Sequence, residues 1–283
     1  MLRYLPFVVS LLILLIAGPA LADAGRHDHS MDMGGHGGMP MPQAPQRATL
    51  SLSLTPQAPL VAGKTVSVVA RLATLKGGKP VSFDDLREAH TKKLHLLIID
   101  PMLSDYHHIH PAPGGKPGEY VFAFTPGKDG GYRIWADVVP RATGKQEYVQ
   151  ADLGEPEQKP VVVDRSVRMS AAVDGYQFTL TLDRPPSAGQ AVMGSVTVSK
   201  GGQPFTGLEP VMGAFAHIVA FPEDLQSVLH VHPMGMEPTS AAQRGGPTLD
   251  FHLEPAKPGF VKLFAQVRID GKDVFAPFGV VVK

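Results

Sequence analysis

His95-Leu-Leu-Ile-Ile-Asp100-Pro-Met-Leu-Ser-Asp105-Tyr-His-His-Ile-His110-Pro111 reads as two short strands around a turn. The aliphatic run Leu94 to Ile99 is strand-forming, Asp100-Pro101 through Asp105 carries turn chemistry, and Tyr106 to Pro111 returns. Folding the stretch symmetrically about its turn sets His95 opposite His110 and leaves His108 two residues along the same strand. Side chains two apart point the same way, and paired residues across strands lie about 4.5 to 5.5 Å apart. Three imidazoles are therefore expected on one face of a hairpin. Asp105, beside them, reads as a cap on the turn, and His107 adds a fourth imidazole nearby.

The stretch recurs. His95, Leu103, His108, His110 and Pro111 fall on His217, Leu225, His230, His232 and Pro233 at one constant offset. After a few extra residues, Phe122, Pro126, Trp135 and Ala136 fall on Phe251, Pro255, Phe264 and Ala265. A repeat of this size predicts two homologous domains, placed at residues 47–163 and 164–283, with the polar stretch Glu155 to Pro160 as an exposed connection. Around the hairpin the texture is one of short β-branched runs (Val66 to Ala70, Tyr120 to Phe124, Ile134 to Val139) punctuated by Gly and Pro. That pattern predicts an all-β fold of two tandem sandwiches, with at most one short helical turn in Ser82 to His90. Trp135 and Phe264 are expected in the sandwich cores, and His252 on the surface.

The N-terminus sets the expected compartment. Arg3 precedes an apolar run from Phe7 to Ile16 that ends in Ala20-Leu21-Ala22, the layout of a cleaved signal peptide over residues 1–22. The run is shorter than the roughly 20 residues that span a bilayer and is broken by Gly18-Pro19, so no membrane span is expected in the mature chain, and the expected location is periplasmic or secreted. Residues 23–46 carry almost no aliphatic or aromatic side chains and read as a flexible His/Met-rich tail. With 26 acidic and 26 basic residues there is no field to favour nucleic acid. The absence of cysteine excludes disulfides, thiolate metal sites and blue-copper chemistry, leaving methionine as the soft ligand.

The metal chemistry follows from the donors. Neutral imidazoles bind Cu(II), Zn and Ni well, and three of them leave an open coordination position. The expected ligands are His95, His108 and His110 in the first repeat and His217, His230 and His232 in the second. Met234 and Met236 follow the second set, and thioethers prefer Cu(I), so copper is favoured over zinc. In the tail, His27, His29, Met31, Met33 and His36, followed by Met39 and Met41, alternate borderline and soft donors on a chain able to wrap copper in either redox state. Against this stands a structural role, in which each imidazole is a hydrogen-bonded packing residue.

The stretch His95 to Pro111, with Gly213-Ala-Phe-Ala-His217, Leu229-His-Val-His-Pro233 and Pro258-Gly-Phe-Val-Lys-Leu-Phe264 in the second copy, resembles exported bacterial proteins with tandem Ig-like or cupredoxin-like modules associated with heavy-metal handling. The leader, the tail and the histidine clusters lead to the expectation of an exported copper-binding protein that sequesters or delivers the ion without bond chemistry, its partners being the metal and a copper transporter or other envelope protein. The competing expectation is an Ig-like interaction module docking on an envelope or transporter complex, with structural histidines. No nucleophile motif or acid–base partner marks an enzyme.

Overall fold

Pro and Gly break the chain so often that strands, and not helices, are what remains to carry the hydrophobic alternation. In a computed structural model, residues 48–155, 161–231 and 233–283 are described, and all belong to one compact unit. The expected signal peptide, the tail, the connection at 156–160 and His232 lie outside the described residues.

The first repeat runs β1 (Leu50–Pro56), β2 (Val66–Thr74), a single 3-10 turn (Phe83–Asp85), β3 (Leu86–Arg87), β4 (His95–Ile99), β5 (Tyr106–Ile109), β6 (Ala112–Pro113), β7 (Glu119–Phe124), β8 (Tyr132–Pro140) and β9 (Glu147–Leu153). The second runs β10 (Ser170–Val173), β11 (Tyr176–Leu182), β12 (Val192–Lys200), β13 (Gln203–Pro204), β14 (His217–Pro222), β15 (Leu229–Val231), β16 (Thr248–Leu253), β17 (Gly259–Ile269) and β18 (Lys272–Val282). All named pairings are antiparallel.

One sheet of the first repeat has the order β1-β2-β7-β6; in the other, β8 lies between β4 and β9, and β5 forms the far edge on β4. The second repeat matches it with β11-β12-β16 and with β15-β14-β17-β18. This is the strand order of an immunoglobulin-like sandwich, in which the first, second and fifth strands share one sheet and the third, sixth and seventh the other. The two sandwich interiors are separate. Leu96, Ile98, Phe122 and Ile134 fill the first, and Ile218, Ala220, Phe251 and Leu263 fill the second.

A third apolar cluster joins the repeats. Leu97, Ile99, Tyr106 and Trp135 from the first pack with Val219, Phe221, Phe260 and Phe264 from the second. Trp135 and Phe264 thus depart from expectation. They sit on the outward faces of β8 and β17, and a strand buried on both faces reads as an unbroken apolar run, so the sequence does not tell its inside from its outside. All five residues of β4 are buried. The sheets that carry the two histidine hairpins therefore face one another across the middle of the molecule, and Arg133 adds a bond from its guanidinium to the Leu225 carbonyl across the same junction.

Candidate metal centre

The hairpin register places the imidazoles. Leu96 pairs with Ile109 and Leu97 with His108, the register that sets His95 against His110. In the second repeat Ile218 pairs with Val231 and Val219 with His230. Because Leu96 and Ile98 point into their own sandwich, His95, Leu97 and Ile99 point at the other repeat. His107, one position out of phase, turns the other way. It packs on Phe124 and Tyr132 and bonds Asp105, away from the cluster. Asp105 accepts from the Gly127 amide and Tyr132 hydroxyl, while the cap on the turn is Asp100, which accepts from the amides of Met102, Ser104 and Asp105.

In the first repeat, single nitrogens of His95, His108 and His110 lie within 4.8 Å of one another. His95 Nδ1 is 3.0 Å from His108 Nε2 and 3.0 Å from His110 Nε2. The far nitrogens assign the protons. His95 Nε2 lies 3.0 Å from the Ala89 carbonyl, which only accepts, so Nε2 carries the hydrogen and Nδ1 is a lone pair. Gln266 donates its amide NH2 to Asp273 at 3.0 Å, which turns its oxygen toward His108 Nδ1 at 2.8 Å. His108 Nδ1 is therefore the donor, and its Nε2 is a lone pair as well. Extra protons are disfavoured: burial, followed by the charges of neighbouring imidazoles, holds His108 well below the usual range, and burial with His95 beside it pulls His110 down to about 3. The lone pairs of buried His95 Nδ1 and half-buried His108 Nε2 thus face each other at 3.0 Å, with His110 Nε2 placed to donate to His95 Nδ1. Facing lone pairs repel each other, and three imidazole nitrogens within 4.8 Å of one another could hold a cation that would relieve this.

The second repeat repeats the scheme. His217 Nε2 bonds the Val211 carbonyl at 3.0 Å, so its Nδ1, 2.9 Å from His230 Nε2, is a lone pair. His230 Nδ1 meets Asp137 Oδ2 at 2.9 Å. Asp137 is 2 % exposed, and burial raises its pKa while a bond from Gln146 lowers it. Burial also holds His230 well below its usual range, so the contact is a hydrogen bond between groups both pushed toward neutrality, and not an ion pair with imidazolium. With Asp137 protonated, His230 can turn its own proton toward His217. With a cation at Nε2, the carboxylate accepts from Nδ1 in a carboxylate–histidine–metal arrangement. Gln266 has no such proton to lend, and in the first cluster the neighbour placed to supply one is His110, whose Nε2 reaches His95 Nδ1 and not His108.

Asp137 pairs with His95 on β4, and Gln266 pairs with His217 on β14. They are the same position in the two copies, yet each braces the histidine of the other copy. Sequence reasoning missed both, because a bond across a domain junction leaves no local pattern; the only available clue was a carboxylate and an amide at matched places in otherwise apolar strands.

His90 was also missed. Ala89 and Lys92 bond each other through both backbone pairs, which makes His90 and Thr91 the centre of a two-residue turn with φ of 57° and 65°. Val211 and Ala214 form the matching turn around Met212 and Gly213, with φ of 51° and 78°. The carbonyls of Ala89 and Val211, which fix His95 and His217, belong to these turns. The His90 ring stands 5.9 Å from His95, 5.6 Å from His230 and 6.3 Å from His217, between centroids. Of the other expected ligands, Met234 is 46 % exposed and Met236 is 93 % exposed on the loop after β15. His232, His27, His29, Met31, Met33 and His36 are outside the described residues. His252 is exposed, as expected.

Among solved structures, the D00-D0 domain of intimin aligns over 82 % of this chain and 99 % of that one at 15 % identity, with a TM-score of 0.23. Salmonella alpha-2-macroglobulin reacted with methylamine aligns over 83 % of this chain and 15 % of that one at 13 % identity, TM-score 0.24. Scores this low carry no argument about function. No curated protein matches the chain, and no helix among the described residues is long and apolar enough to cross a membrane. The sequence pattern of one family matches twice, over residues 46–153 and 171–283, and the chain belongs to that family, a domain of unknown function (DUF8832).

Proposed function

We propose that this is an exported metal-holding protein, with copper as the preferred ion, that sequesters or delivers its cargo without bond chemistry. The observation that supports this reading is the pair of lone-pair nitrogens of His95 and His108 held 3.0 Å apart in a partly buried setting, each ring fixed by an acceptor on its far side. A purely structural histidine cluster would be expected to alternate donors and acceptors. Copper(II) stands highest for nitrogen donor sites among the divalent first-row ions, and the methionines of the tail suit the reduced ion. The tail, as a capture arm, would supply ions to the clustered histidines by ligand exchange.

The test is titration of the chain with Cu(II) and Zn(II), with the tail ligands removed by placing Ala at His27, His29 and His36 and Leu at Met31, Met33, Met39 and Met41. Submicromolar Cu(II) binding with nitrogen couplings in the electron paramagnetic resonance spectrum, lost in His108→Ala, is expected. Micromolar or weaker binding without nitrogen coupling would sink the proposal and favour an immunoglobulin-like module that docks on an envelope or transporter complex.

A further inference from the structure

The two half-sites are not insulated from each other. Within the first, ring centroids lie 4.8 Å (His95 to His110) and 5.2 Å (His95 to His108) apart, and within the second 5.2 Å. Across the junction, His108 stands 5.2 Å from His230 and 5.7 Å from His217, and His95 stands 5.5 Å from His230. Rings of different repeats are thus nearly as close as rings of one, and His90 touches both sets. Repulsion between two divalent ions is four times that between two monovalent ions at the same separation, and it is strong in a buried setting. The carboxylate that bonds these imidazoles directly is Asp137, whose single charge would offset only part of two divalent ions.

On the metal-holding reading, we infer that the half-sites form one coupled centre that admits a single divalent ion per chain, with His90 as the ligand through which both halves share it. The turns supply its way in. Glu88, His90 and Thr91 from one repeat and Met212, Gly213 and Glu237 from the other line a cavity of about 260 Å³. An ion arriving there meets carboxylate, imidazole and thioether donors before the buried nitrogens. The backbone at His90 and Thr91 is left-handed, costly for a β-branched residue, and the His90 ring of this turn stands against His95, His217 and His230.

The experiment uses the full chain carrying the tail substitutions given above. Titration with Cu(II) is expected to show one tight equivalent, any second binding about 100-fold more weakly, with no half-field resonance of a copper pair at one equivalent. His90→Ala is expected to weaken the tight equivalent about tenfold and to change its nitrogen hyperfine pattern. Two equivalents of matched affinity, or a His90→Ala spectrum and affinity identical to the parent, would overturn the coupling while leaving the metal-holding reading intact. Absence of any tight equivalent would instead defeat that reading. The stoichiometry needs no substitution in the folded core, so it stands even where a cluster variant fails to fold.

Discussion

A buried carboxylate is costly, and Asp137 is retained where its direct side-chain partners are an imidazole and a glutamine amide. On the proposed metal-holding function, its value would emerge with a cation at His230 Nε2, because the carboxylate would then offset that charge through the ring. Asp137→Asn keeps an acceptor for His230 and removes the charge. It should lower metal affinity by about 10- to 100-fold while leaving the thermal stability of the metal-free protein equal or higher. Calorimetric titration and melting curves check this together, and a variant that loses stability without losing affinity would make Asp137 a structural residue. Asp105 behaves oppositely. Burial raises its pKa, but bonds from His107, Tyr132 and the Gly127 amide outweigh that and lower it below the ordinary 3.8. A group depressed on folding contributes stability that is complete above its unfolded value and is lost as pH falls through the folded one. Denaturation midpoints should therefore drop below about pH 4, and Asp105→Asn should flatten that drop while costing stability at neutral pH.

At the scale of elements, the hairpin and the tight turns divide the labour. The hairpin was legible in advance, because the two-residue period of a strand and a symmetric fold about Asp100 to Asp105 fix which residues share a face, and the observed register agrees. The turns were not legible. Ala89-His90-Thr91-Lys92 lacks the Gly or Asn that marks a left-handed two-residue turn, so its sequence reads as the end of a helical turn. Only the match with Val211-Met212-Gly213-Ala214, where glycine takes the second central position, could have revealed it. Thr91 bears the cost of that geometry, and Thr91→Gly should stabilise the protein by roughly 1 kcal/mol, read as a higher denaturant midpoint. A lower midpoint would show that contacts of the Thr91 side chain, whose Cγ2 lies 3.0 Å from where a Cβ on Gly213 would be, outweigh the strain.

Across the whole molecule, the repeat gave the existence of two sandwiches but not how they meet. Leu97, Ile99 and Trp135 are as apolar as the residues beside them that face inward, and nothing in one strand tells which face will meet a neighbour in the other repeat. The same ambiguity hid the partners of His108 and His230. The junction has two layers, an apolar one around Phe221 and a polar one around the imidazoles. Phe221 is fully buried, and Phe221→Ala should cost about 3 to 5 kcal/mol. Because both braces cross the junction, the same substitution should weaken metal binding far from the residue replaced. An affinity unchanged despite the lost stability would mean that the half-sites hold together without the docking of the repeats.

The exchange of braces also bears on how the two copies can diverge. Gln266 serves a histidine of the first copy and Asp137 serves one of the second, so neither half carries a complete set of instructions for its own histidines. Tolerated changes at 108 and 266, or at 137 and 230, must then arise as matched pairs across the duplication. A lineage that shed one copy would leave the survivor with imidazoles but without the residue that aims them.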